Sequence, residues 1–434
     1  MSALAPLRIP AFRLLLGGRT INALGNSFAP IALAFAVLDL TGSATDLGLV
    51  VGARTLINVL FLLFGGVLAD RLPKHLLMVW ASLAAFVTQA IVATLVLTGT
   101  ATIPALIVIS AINGMVGALA LPASSAIVPQ IVPAEIRQQA NALNRLALNT
   151  ASVLGAPLAG VVVAATNPGW GIAVDSATFL VSGLLFAFLR VAPKPVATTP
   201  APGVIGDEQT PGVASVEPSR PNVFADLRTG WSEFRSRTWL WVVVAGFCVI
   251  NASWSGSLFV LGPVVADETI GRRAWGLVLA AETLGMIVGA LIAMRLRMRR
   301  LLFFGTFSTF FMALPVLILG TYVHLWLLIV GALIAGLMVE QFGIAWETTM
   351  QEHIPADKLA RVYSYDMVGS FLAIPVGQVA VGPISHAVGV EATLVGAAVL
   401  MTLAVVGMLS SRDVRTLPHA LPEPEPSTVK QSVA

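Results

Sequence analysis

Twelve apolar runs, most of them about 20 residues long, limit what this chain can become. They fall at roughly 13–38, 47–69, 76–98, 102–122, 139–166 and 171–190, and again at 239–266, 274–294, 301–321, 325–350, 359–388 and 392–410. At 1.5 Å of rise per residue, a run of about 20 crosses the ~30 Å hydrocarbon layer of a bilayer as a helix. A helix is also how one segment satisfies its own backbone amides where no water is present. The composition agrees: 57% of the residues are hydrophobic and 11% are charged, against about 25% charged in soluble domains. The expected fold is an all-α membrane protein of twelve transmembrane helices.

The runs come in two sixes. Between them, Val191 to Pro221 turns to Pro, Ala, Thr and Gly and holds too little apolar side chain to build a core. Next, Phe224, Leu227, Trp231 and Phe234 recur at helical spacing among charges, as in an amphipathic helix lying on a membrane surface. The expected organisation is a six-helix bundle over 1–190, a linker with this helix over 191–237, a second bundle over 238–411 and a disordered tail over 412–434. The sixes also read as copies. Val132-Pro133-Ala134-Glu135 returns as Ile354-Pro355-Ala356-Asp357, and Gly155 and Gly160 return as Gly377 and Gly382, all at an offset of 222 (354 − 132 and 377 − 155).

Between the second and third runs stands a tight charged turn, Gly65-Gly66-Val67-Leu68-Ala69-Asp70-Arg71-Leu72-Pro73-Lys74. This stretch resembles the signature of the major facilitator superfamily, which Gly66, Leu68, Ala69, Asp70, Arg71 and Lys74 match; Pro73 and His75 stand where members often carry basic residues. The resemblance implies two six-helix pseudo-repeats, with the turn on the cytoplasmic side as a conformational latch formed by Gly66, Asp70, Arg71 and Lys74. Its counterpart in the second half, Gly289 to Ala293 followed by Arg295, Arg297, Arg299 and Arg300, lacks the aspartate. Within the superfamily, Ser124 to Ala142, Gly155 to Gly160, Asp175 with Phe179, and Trp346 to Pro355 resemble the branch of enterobactin exporters and macrolide efflux proteins. Gly155-Ala156-Pro157-Leu158-Ala159-Gly160 is similar to the antiporter motif with its proline one place late.

Basic residues set the orientation. With both termini in the cytoplasm, Arg8, Arg71, Lys74, Arg137, the basic residues of the linker, Arg295 to Arg300, Lys358 and Arg412 lie inside, and mainly Arg272 and Arg273 lie outside. The expected location is the cell membrane, inner or plasma. The chain begins without a signal peptide's short apolar core and cleavage site, so the first helix is expected to remain.

Charges inside the runs cost about 2.5–3.5 kcal/mol each at a helix centre, so each asks for a reason. Runs 3, 9 and 12 are nearly free of them, as lipid-facing helices should be, whereas Arg19, Arg54, Arg145, Glu282, Glu340, Glu347 and Asp366 punctuate the others. Glu340, Glu347 and Gln351 share one helical face, the two acids about 10 Å apart in rise. Glu340, Glu347, Asp366 and Glu282 are the proton-coupling candidates. Polar stripes at Arg19, Asn22 and Asn26 and at Arg145 and Asn149, with Asn251, Trp254 and Trp346, are the substrate-cavity candidates. Arg145 and Asp366 have an alternative role as helix anchors or an inner gate. Arg54 reads as a partner of Asp39 or Asp46, and Asp175 as a structural residue at the start of its helix, a cap or an interhelix hydrogen bond.

Several classes drop out. None of the four lysines follows a glycine, so no phosphate-binding P-loop is present. The single cysteine, Cys248, allows no internal disulfide, and the five histidines are scattered. No cofactor or metal is expected, nucleic acid is not a partner despite the net charge of +3, and the chain is not expected to be an enzyme. The expected function is that of a monomeric secondary transporter, in which protons drive efflux of an amphiphilic small molecule of the drug, antibiotic or siderophore type. Its rivals are an importer or lipid flippase on the same scaffold and a receptor or accessory subunit that does not transport.

Overall fold

The computed structural model describes residues 4–71, 73–189, 231–293, 295 and 298–419, with the side chains of all of these except 62–71, 120–126, 129, 134, 138, 356, 357, 360, 361 and 364. The first six long helices are α1 Pro10–Thr41, α2 Ala44–Arg71, α3 Lys74–Leu97, α4 Ile103–Ala126, α5 Arg137–Ala165 and α6 Pro168–Ala187. The second six are α7 Thr238–Glu268, α8 Arg272–Ala293, α9 Leu301–Thr321, α10 Leu325–His353, α11 in the two pieces Ala356–Phe371 and Ala373–Val388, and α12 Val390–Ser410. Among the described residues eleven helices are long and apolar enough to cross a membrane, and α4 adds the apolar stretch Ile103–Leu119. The expected runs match these helices to within a few residues. The proposed linker over 191–230 and the tail from 420 lie outside the described residues, as do Phe224 and Leu227.

The duplication read from the offset of 222 is visible in how the glycines pack. A Cβ on Gly155 of α5 would press on Ser27 of α1, and one on Gly377 of α11 would overlap the backbone oxygen of Ala252 on α7. Gly160 of α5 lies against Arg272 and Arg273 of α8, and Gly382 of α11 against Thr45 of α2. Gly114 lets α4 touch the backbone of Arg54 on α2, and Gly336 lets α10 touch that of Glu282 on α8. Thus α1, α2, α4 and α5 pack as α7, α8, α10 and α11 do, and the halves meet through α5 with α8 and α11 with α2. The turns entering α2 and α8 repeat too, with Gly42 at φ 63° and Gly271 at φ 85°, where a side chain would be strained.

Among the described residues the halves touch at one end. Their close backbone approaches, at Gly48, Gly160, Gly276 and Gly382, all fall in the part of the bundle remote from the termini, here the far end. There, Phe28 to Val37 of α1 and Ala156 and Ala159 of α5 share one apolar core with Leu258, Trp275 and Val381 of the second half. Toward the termini the first half keeps a separate core of its own, built on Phe12, Leu15, Leu77, Met78 and Ile127. Along α5, Arg145 and Asn149 are exposed while Ala156 and Ala159, farther along the same face, are buried. Among the described residues the bundle is therefore closed at the far end and splayed toward the termini.

Large apolar side chains point outward along α3 (Trp80, Val87, Ile91), α9 (Phe303, Phe307) and α12 (Val399, Leu403), which fits the charge-free character of those runs. The amphipathic segment is described only in part. Its described part, a helical turn over 231–236, buries Phe234 and sets it 6.0 Å from the ring of Tyr365 on α11. Lys358 of α11 and Arg237 both donate to Glu233. This turn is docked on protein, where its charges find partners.

Candidate functional site

Three cavities run in series through the middle of the bundle and share residues at each junction. The central one, about 400 Å³, lies on the seam between the halves, lined by Arg54, Asn58 and Asn113 from the first and Asn251, Trp254 and Gln378 from the second. A second, about 180 Å³, continues into the first half past Asn22, Asn26 and Phe179, and again touches Arg54 and Asn113. A third, about 190 Å³, runs from Asn251 into the second half to Phe247, Trp346, Asp366 and Ser370.

Local structure makes this room. Pro30 sits inside α1, where it removes a backbone donor. In α7 a π-helical turn at Ser257–Leu261 follows Trp254 and Ser255, an irregularity that re-aims side chains and recurs at functional sites. Polar side chains pin the walls across helices. Asn58 donates to the Gly114 carbonyl (3.0 Å), Asn113 to Thr88 Oγ1 (3.1 Å), Asn251 to the Ser370 carbonyl (2.9 Å) and Gln378 to Ser255 Oγ (2.7 Å). For the buried amides of Asn113 and Gln378 the bond spares the roughly 1–3 kcal/mol of an unmet donor. Each of the four bonds also fixes its amide's orientation toward the cavity.

The structure brings together part of the residue set expected from sequence. Asn22 and Asn26 lie in the second cavity, joined by a 2.6 Å hydrogen bond from Asn26 Nδ2 to Asn22 Oδ1. Asn251 and Trp254 line the first. Trp346 and Asp366 line the third, where Trp346 Nε1 donates to Asp366 Oδ2 (3.1 Å) and Ser370 Oγ to Oδ1 (3.3 Å). Arg19, Arg145, Asn149, Glu282, Glu340 and Glu347 stand outside these three cavities. Glu340 is half-buried within electrostatic reach of Arg145 across the seam. Glu347 is exposed and accepts from Gln351 (3.3 Å). Glu282 is half-buried on α8, where Gly336 of α10 meets its backbone. Lys74 opens α3; the side chains of Gly66, Asp70 and Arg71, which complete the expected latch, lie outside the described residues.

Two expectations need correction. Arg54 pairs with neither Asp39 nor Asp46: Asp39 is taken by Arg272, 233 residues away, and Arg54 lies beside the central cavity. Asp175 does not begin its helix. Asn167 caps α6, accepting from the Trp170 amide (3.3 Å), and Asp175 lies fully buried eight residues in. The interhelix bond expected of it is present, from Gln89 Nε2 on α3 at 2.5 Å. The cavity also holds Asn58, Asn113 and Gln378, which are not among the residues expected from sequence. The signal was there: Arg54 and Asn58 stand four residues apart, on one helical face of an apolar run.

The family model described as Major Facilitator Superfamily matches residues 15–377. Among solved structures, a bacterial homolog to the human lysosomal transporter Spinster, in an inward-facing and unoccupied conformation, superposes with a TM-score of 0.70 at 14% identity, covering 93% of this chain and 97% of its own. The nucleoside transporter NupG superposes with a TM-score of 0.68 at 12% identity, covering 92% and 98%. At such identities the likeness is one of fold. No curated protein matches the sequence.

Proposed function

The chain belongs to the Major Facilitator Superfamily and is a secondary transporter; we propose that it exports an amphiphilic small molecule by alternating access, in exchange for protons. The observation that carries the reading is the central cavity, whose wall is contributed by both halves at a seam packed at one end and splayed at the other. Rocking the halves about such a seam moves the cavity from one side of the membrane to the other without opening a continuous pore. The positive-inside count puts the termini in the cytoplasm, which makes the present arrangement inward-facing and ready to load from within.

The lining suits an amphiphile. Leu33, Val51, Phe259 and Ile374 give apolar wall opposite the amides of Asn58, Asn113 and Gln378. Few polar groups on an apolar wall fix orientation while burial supplies affinity. Proton exchange is supported by the acids within the spanning helices, Glu282, Glu340 and Asp366, of which Asp366 faces a cavity. An acid in that position carries a proton through one half of the cycle and releases it in the other. The efflux direction rests on the resemblance of Ser124 to Ala142 and Gly155 to Gly160 to the enterobactin and macrolide exporters.

Everted membrane vesicles, acidified inside by respiration, test the proposal with a panel of amphiphilic dyes and siderophore-like chelators. A transported compound should dissipate the pH gradient in vesicles holding the protein and leave it intact in vesicles without it. Uptake of compounds with no loss of the gradient would remove the proton exchange, and uptake of none would remove the transport reading.

A further inference from the structure

We infer that the molecule carried, on the transporter reading above, bears an anionic group that Arg54 receives in the central cavity. Arg54 lies ten residues into α2, about 15 Å from the far end. It lines both the seam cavity and the cavity of the first half. Among the described residues it makes no hydrogen bond or ion pair, although a guanidinium carries five donors in a planar fork. A charge withdrawn from water costs several kcal/mol unless it is paired. Asp175 lies within electrostatic reach and compensates the charge in part, but it shares no ion pair with Arg54: it accepts from Gln89 through Oδ2 and leaves Oδ1 without a partner, while Asp39 at the far end is held by Arg272.

The repeat shows that this cation is not a packing requirement. Gly114 meets the backbone of Arg54 as Gly336 meets that of Glu282, so the two residues hold equivalent places in the two halves. One is basic and the other acidic. The helix contact itself therefore needs neither charge, and the cation at the cavity calls for a separate reason. A carboxylate, phosphonate or sulfonate supplies it, because its paired oxygens match the guanidinium fork and form charge-assisted bonds. The indole of Trp254, with Phe259 and Ile374, gives the same occupant an apolar wall for an aromatic or aliphatic body.

The test uses three soluble probes that share one body and differ in charge: 2-naphthoate, 2-naphthol and 2-naphthylmethylamine. Each is titrated calorimetrically into the full-length protein in nanodiscs. The naphthoate should bind at least tenfold more tightly than the other two, and Arg54→Gln should remove that preference. Arg54→Lys keeps the charge without the fork; it should weaken naphthoate about threefold or more and still reject the amine, which decides the matter if the glutamine variant does not fold. Equal binding of the three probes to the unsubstituted protein, or unchanged naphthoate affinity in Arg54→Gln, overturns the inference. Flux confined to neutral and cationic amphiphiles would also overturn it while leaving the transporter standing. Tight, Arg54-dependent naphthoate binding with no flux of any compound would uphold the anion site and remove the transport reading instead.

Discussion

Glu340 and Glu347 stand on one face of α10, seven residues apart, and the structure gives them different surroundings. Glu340 is half-buried with Arg145 of the other half as its electrostatic neighbour; Glu347 is exposed and bonded to Gln351. A carboxyl whose surroundings change as the halves rock can couple a proton to that motion, and one in water on both strokes cannot. Glu340→Gln should therefore abolish substrate-driven proton movement in everted vesicles, by tenfold or more, while Glu347→Gln stays within twofold of the unsubstituted protein. Equal losses in the two variants would sink the distinction. Sequence could find both acids, because a charge in an apolar run announces itself, but it could not rank them. Arg54 shows why partners are harder still. Asp39 and Asp46 are near it in sequence, yet the far-end packing of α8 against α5 delivers Arg272 to Asp39 first.

At the scale of helices, the fold was legible because each span must carry its own apolar length, whatever its neighbours do. The packing between helices was legible only where duplication exposed it, at Gly155, Gly160 and their copies. Gly336 tests how far the glycines matter. A Cβ there would overlap the backbone oxygen of Glu282, and backbone cannot swing aside, so Gly336→Ala should destabilise the protein by about 1–3 kcal/mol, as overpacking does. At Gly343, on the same helix, a Cβ meets nothing within 4 Å, and Gly343→Ala should be neutral or stabilising by about 0.5–1 kcal/mol. Thermal melting of the purified variants measures both, and a similar shift in the two would refute the packing account. The apolar face of the turn over 231–236 reads the same in sequence whether lipid or protein covers it. Lys358, then Arg237, hold the Glu233 carboxyl below its usual range. A lowered value means that the contact is present above the ordinary carboxylate value of about 4.3 and fades as pH falls through the lower one. Hydrogen exchange over 231–236 should thus be flat in protection from pH 8 to pH 5, and Glu233→Gln should speed exchange at neutral pH. Protection that already declines between pH 7 and pH 6 would assign the docking to another group.

For the molecule as a whole, the question is what holds the far end shut. Arg272, the first residue of α8, donates to Asp39 at the end of α1 and to Asp267 at the end of α7, with its guanidinium 4.7 Å from the centre of the Phe35 ring. Asp267 belongs to Arg272's own half, so that bond survives rocking; Asp39 and Phe35 belong to the other half, so those contacts exist only while the far end is closed. A partly exposed ion pair contributes about 0–1 kcal/mol and an exposed cation–π contact about 0.5–1. Some 1 kcal/mol in total bears on the equilibrium, and since about 1.4 kcal/mol is a factor of ten, its loss should shift the populations about fivefold toward a state open at the far end. Arg272→Gln removes both contacts and Asp39→Asn mainly the first, so the second variant should shift less. The reporter is a cysteine at Val51, which lines the central cavity, in a chain whose Cys248 has been replaced by alanine. An impermeant maleimide added from the far side should label it about fivefold faster in Arg272→Gln, with the difference shrinking at high salt as the lost ion pair is screened. Labelling rates that do not change, or that fall, would show that the apolar seam of Phe28 to Val37 against Trp275 closes the far end without help from its charges.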